Sequence, residues 1–141
     1  MKSAPAMHGR PMAGGMGMVL VALALLAAVV VWAAHSLPLQ EVEQAWPSQH
    51  ALQSHHGEIW NTEIAMTRIQ ARACDRMEAY WSEIRKSYLI LCRIHGDLWG
   101  SMILRRAKDY RLVVVTAYAA HRSHWDKVLV RDGYQPVALG R

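Results

Sequence analysis

The stretch YLILCRIHGDLWGSMILRRAKDYRLVVVTAYA, residues 88–119, decides how this chain folds. Tyr88, Ile90, Cys92 and Ile94 alternate with Leu89, Leu91 and Arg93, the period-two signature of a β-strand. His95-Gly96-Asp97 then supplies a turn. Residues 98–104 read as a second strand, with Gly100 marking a place where another backbone comes close. Residues 107–110 turn again. The valine-rich stretch 111–119 reads as a third, central strand. Connections this short make an antiparallel meander. Residues 76–82 offer a further strand ahead of it.

Helices flank this core on both sides. Downstream, Ser123 can cap a short helix over 124–130, and Asp132-Gly133 stops it. Upstream, Pro47 opens a short helix over 48–56 that Gly57 ends. A second helix is expected over 58–73. Trp60, Ile64, Ala71 and Cys74 fall on one stripe of it, and Ile59, Met66 and Ile69 widen the apolar surface. The expected class is α+β. Two short helices come first, then a three- or four-stranded antiparallel sheet with those helices on one face, then a short C-terminal helix. This domain takes residues 48–141. Residues 36–47 read as a linker, because Leu37-Pro38 breaks a helix.

The N-terminus has another character. GMVLVALALLAAVVVWAA, residues 17–34, holds no charged side chain. As a helix it covers roughly 27 Å, about the hydrocarbon thickness of a bilayer. A transmembrane helix is therefore expected over 16–35, behind a 15-residue tail. Lys2 and Arg10 precede it; Glu41 and Glu43 follow it, and the next basic side chain is Arg68. The positive-inside bias puts the tail in the cytoplasm and the domain outside the cell membrane. A cleaved signal peptide, with Val31 and Ala33 at the small-residue positions, is the alternative. The apolar run exceeds the usual signal core, and Trp32 suits the membrane–water interface of a retained single-pass anchor.

The chain has 141 residues and a net charge of +5, spread without a basic block. That pattern fits a solvated surface better than a nucleic-acid footprint. Six tryptophans and five tyrosines, with no phenylalanine, supply large apolar area with polar handles. Cys74 and Cys92 both lie in the part expected outside. They either form one disulfide, worth roughly 3 kcal/mol through loop closure, or stay as two buried thiols.

Catalytic signatures are sparse. There is no nucleophile elbow, Walker loop or dinucleotide fingerprint, and no cofactor is implied. Among the eight histidines, His50, His55 and His56 cluster. His50 and His55 are five apart, unlike the i, i+4 pair of a zinc helix. His121 and His124 approach one another only if helical. An enzyme would have to use groups gathered by the fold, such as His50 or His55 with Arg93, Arg105, Thr116 and Tyr118.

The order His50-Ala51, His56-Gly57, Cys74, Tyr80, Leu91-Cys92, Trp99-Gly100, Val115-Thr116-Ala117-Tyr118 resembles a group of small uncharacterised bacterial domains. The resemblance covers most of residues 50–137 and implies a fold more than an activity. More distantly, the chain is similar to the ribonuclease superfamily that holds barnase, EndoU, colicin D and RelE. That likeness implies a metal-independent ribonuclease acting on RNA. His50 or His55 would be the general base, Arg93 or Arg105 would steady the phosphate, and Thr116 would contribute a hydroxyl. The chain departs from that group in its apolar N-terminal segment.

Three functional expectations follow. The first is a membrane-anchored protein whose small extracytoplasmic domain is an interaction or accessory module for a protein partner. The second is the ribonuclease. The third is a structural subunit of a membrane complex, with Ala22, Ala24, Ala27 and Ala28 allowing close helix approach.

Overall fold

The computed structural model describes residues 36–53 and 57–140. The expected cytoplasmic tail and membrane helix lie outside those residues, as do His55 and His56. Among the described residues no helix is long and apolar enough to cross a membrane.

Residues 36–140 pack as one unit. Its elements in chain order are β1 (Leu37–Pro38), α1 (Leu39–Glu43), β2 (Trp46–Pro47), α2 (Gln49–Gln53), α3 (Thr62–Gln70) and β3 (Met77–Ser82). Then come β4 (Ser87–His95), β5 (Leu98–Arg106), β6 (Leu112–Thr116), β7 (Ala119–His121), α4 (Arg122–Arg131), β8 (Tyr134–Pro136) and β9 (Leu139–Gly140).

The expected small antiparallel sheet is corrected. The sheet has seven strands in the order β2-β6-β5-β4-β3-β8, with β7 also on β5. It is mixed, because β2 runs parallel to β6 (Trp46 opposite Val113) while the remaining pairs are antiparallel. The valine-rich strand is not central, since β4 and β5 hold the middle. A bulge falls where Val114 pairs Leu104 but Thr116 pairs Ile103, leaving Val115 as the extra residue. A separate two-stranded pair joins β1 to β9, with Leu37 opposite Leu139. The added strands have two or three residues each, too few to show a period.

The helix layout is corrected as well: four helices occur among the described residues, and they cover both faces. β4 is buried on both sides from Ser87 to Cys92. Tyr88, Ile90 and Cys92 pack with Trp60, Ala65 and Ile69 on the face of α1–α3. Leu89 and Leu91 pack with Trp99, Trp125, Val128 and Tyr134 under α4. Residues 36–47, read as a linker, supply buried Leu37, Val42 and Ala45 to the first of these cores.

Local chemistry explains the helix ends. Asn61 caps α3, its Oδ1 accepting from the Ile64 amide at 3.0 Å. Trp60, just before that cap, turns into the core rather than starting the helix. Arg72 closes α3 in a left-handed conformation (φ 52°), and the Ala73 amide donates to the Arg68 carbonyl. α4 starts where the Arg122 amide donates to the Asp97 carbonyl, and Gly133 (φ 63°) ends it. Each large side chain buried this way contributes about 1.5–3 kcal/mol. Two indoles also satisfy their N–H groups on β5: Trp60 donates to the Ser101 carbonyl and Trp125 to the Trp99 carbonyl.

Candidate functional site

The residues expected to act together are spread out. Side chains alternate across a strand, so Arg93, Arg105 and Thr116 all lie on the α4 face of the sheet. Arg93 pairs in register with Trp99, whereas Arg105 stands six residues further along β5, roughly 20 Å away. His50 is exposed on α2, which packs beside α3 on the other face through a hydrogen bond from Thr62 Oγ1 to the Ala51 carbonyl. Thr116, opposite Ile103, lies diagonal to Arg105 at roughly 7–8 Å, so those two are neighbours; His50 and Arg93 stand apart from them, and the described members do not converge as a set. His121 and His124 also part company: His121 faces Asp97 at 3.3 Å, and His124 Nε2 meets the Tyr118 hydroxyl at 3.0 Å. Cys74 and Cys92 form a disulfide, tying the chain after α3 to the middle of β4. Among the described residues no group of three or more histidine, cysteine or carboxylate side chains is placed to hold a metal.

A site the sequence reading missed lies at the β2 edge. Trp46 is 61% exposed and Tyr110 80% exposed, and both border a pocket of about 280 Å³. Buried Leu112 also lines it, and Glu41, Gln44, Asp109 and Arg111 add polar groups. Three apolar or aromatic side chains thus share the lining with four polar or charged ones, a more polar mixture than a small-molecule pocket usually has.

The turn at residues 107–111 builds one wall. The Tyr110 amide donates to the Ala107 carbonyl, and the Ala107 amide to the Arg111 carbonyl. Arg106 Nη1 donates to the Tyr110 carbonyl at 2.9 Å. These bonds hold Tyr110 at φ 66°, a left-handed conformation that costs a non-glycine residue about 1–2 kcal/mol. Its ring is displayed to solvent at that cost.

Ion pairs set the rest. Arg111 stacks 5.8 Å from the Trp46 ring centroid, and its Nε donates to Asp109 Oδ2 at 2.6 Å. Hydrogen bonds from Arg111 hold the Asp109 carboxyl below its ordinary range. Arg106 bridges to Glu41 at 3.0 Å, tying the turn to α1. Two signals in the sequence point here: a tryptophan beside a proline in an otherwise polar stretch, and a tyrosine inside a turn. Neither says that the two meet.

Comparison with known proteins finds no matching family model, no matching curated protein and no matching solved structure.

Proposed function

We propose that this chain is a membrane-attached protein whose domain, residues 36–140, works outside the cytoplasm as an interaction module, with the Trp46–Tyr110 pocket as its contact surface. The observation that carries this reading is the pair of exposed aromatic rings around one pocket, one of them held in a costly backbone conformation. Single exposed apolar side chains are ordinary on a protein surface. Two aromatics converging on a pocket beside an arginine have the make-up of an interface anchor.

The membrane part of the reading rests on the sequence. The uncharged stretch 17–34 has the length and flanking charge of a retained anchor. A disulfide inside the domain suits an oxidising compartment.

The test is site-specific photocrosslinking in living cells. A photoreactive residue replaces Trp46 or Tyr110, and in control strains Ile84 or Val130, which are equally exposed and lie away from the pocket. A discrete adduct from the pocket positions alone supports the reading. Equal adducts from all four, or none from the pocket, sinks it. A reporter fused after Arg141 tests the topology; cytoplasmic activity of that fusion sinks the extracytoplasmic assignment.

A further inference from the structure

A second site, separate from the aromatic pocket, sits where β3, β4 and β5 meet the start of α4. Met77 pairs Cys92, and the Arg93 amide donates to the Arg76 carbonyl at 3.0 Å. This register sets Arg76 directly across from Arg93, and Arg93 across from Trp99. The three side chains form one row on the α4 face. Residues so opposed have their Cβ atoms roughly 5 Å apart, and like charges in that position repel. A bulge between Arg93 and His95 turns the end of this row, as bulges near binding sites do.

Arg122, the first residue of α4, closes the row from above. Its guanidinium lies 4.8 Å from the Trp99 ring centroid, and its Nη1 donates to Glu78 at 2.8 Å. These residues line a groove of about 380 Å³, room for a small organic anion.

The charges do not cancel evenly. Glu78 is engaged by Arg122 and by the Tyr80 hydroxyl. Asp97 faces His121. Asp75 holds Arg93 by Nε and Nη2, both on the single oxygen Oδ2, which leaves Nη1 uncommitted to it. Arg76 takes no carboxylate within ion-pair distance among the described residues; Glu78, two residues along the same face, feels its charge but is held by Arg122 and the Tyr80 hydroxyl, and Arg76 stands against Arg93. An anion seated between the two would relieve their repulsion and accept hydrogen bonds from both.

We infer that this groove binds the phosphate group of a small soluble ligand, with Arg76 and Arg93 gripping the phosphate and the stacked Arg122–Trp99 pair walling the remainder. Guanidinium forks match the oxygens of a phosphate, and its double negative charge matches two guanidiniums, one on β4 and one just before β3, better than the single charge of a carboxylate does. Trp99 is only 5% exposed, so its ring is a buried floor; the outer face of the Arg122 guanidinium, held over that ring and by Glu78, is what an organic moiety attached to that phosphate would meet.

The test is calorimetric titration of the full chain, in non-ionic detergent, with pyrophosphate, sn-glycerol 3-phosphate and adenosine monophosphate as separate probes. The wild type is compared with Arg76→Gln/Arg93→Gln and with a charge-matched control, Lys108→Gln/Lys127→Gln. Charged hydrogen bonds of this kind each carry about a tenfold change in affinity. The expected result is binding of at least one probe that weakens about tenfold or more in the arginine double variant and stays within about twofold in the control. Arg76→Gln alone leaves no carboxylate without its partner; it should fold as the wild type does and weaken binding about threefold or more. Glycerol phosphate bound in preference to the nucleotide points to a lipid-derived headgroup; the reverse points to a nucleotide. Equal weakening in both double variants, or no binding of any small probe, overturns the inference. Binding only to a long RNA or to anionic vesicles overturns it too, because the ligand would then be a polymer or a surface.

Discussion

Replacing Gly100 by alanine should be among the most damaging single-methyl changes in this domain. A Cβ at that position would lie 2.2 Å from Trp60 Cε2, 2.3 Å from Cδ2 and 2.7 Å from Cζ2. The indole it meets is 1% exposed and donates Nε1 to the Ser101 carbonyl at 2.9 Å, so it has nowhere to retreat. If the backbone of β5 moves instead, overpacking costs about 1–3 kcal/mol. If the ring gives way, the loss approaches that of a large-to-small core change, about 3–5 kcal/mol, with about 1 kcal/mol more for the stranded hydrogen bond. Gly100→Ala should therefore cost about 3 kcal/mol. Glycine in a strand is itself unfavourable by about 0.5–1 kcal/mol. Once the ring is gone, in a Trp60→Leu background, the same methyl should be neutral or mildly stabilising. Urea unfolding of the four proteins, followed by tryptophan fluorescence, closes the cycle. A coupling near 3 kcal/mol is expected. A coupling below about 0.5 kcal/mol would refute the claim that the Trp60 ring is the reason for a glycine here.

Other predictions concern the disulfide, the strained turn and one carboxylate. Replacing Cys74 and Cys92 by serine reopens a link of 18 residues and should cost about 3 kcal/mol, lowering Tm by about 10–20 °C; a scan with and without reductant reads it on the native chain. Tyr110→Gly relieves the left-handed backbone and should raise stability by about 1 kcal/mol while removing the pocket wall, so thermal stability and crosslinking should move in opposite directions. Hydrogen bonds from Arg131 hold the nearly buried Asp132 carboxyl below its ordinary range; burial opposes this, and Arg85 adds to the lowering. A depressed folded pKa means that this stabilisation is full above the unfolded value, about 4, and is lost as pH falls through the folded value. Between about pH 6 and about pH 3 the wild type should thus lose more Tm than Asp132→Asn does; equal losses would show that Asp132 contributes nothing to acid sensitivity.

Much of the sheet's middle is legible in the residues alone. The alternation in 88–94, the turn at His95-Gly96-Asp97 and the strand that follows are local patterns, and β4 and β5 carry them. Asp132-Gly133 marks the end of α4 for the same reason: a left-handed residue after a helix is local chemistry. Gly100 signals a close approach, although the group that comes close is an indole forty residues away rather than a backbone. One local clue points to the second helical layer: both alternating sets of β4, Tyr88/Ile90/Cys92 and Leu89/Leu91, are apolar, which a strand covered on one face would not need.

The rest belongs to the tertiary structure. β1, β2, β8 and β9 are too short to have a period, and they exist because a partner far along the chain offers them hydrogen bonds. The aromatic pocket is equally non-local, since Trp46 and Tyr110 share it only because β2 docks parallel to β6. Register decides the arginines: it opposes Arg76 to Arg93, and it separates Arg93 from Arg105 although both face α4. Sequence by itself determined which segments alternate and where they turn, because those preferences act within a few residues. Only the tertiary structure decided which of them meet, because a pairing between distant segments is settled by the burial and hydrogen bonding of the whole sheet at once.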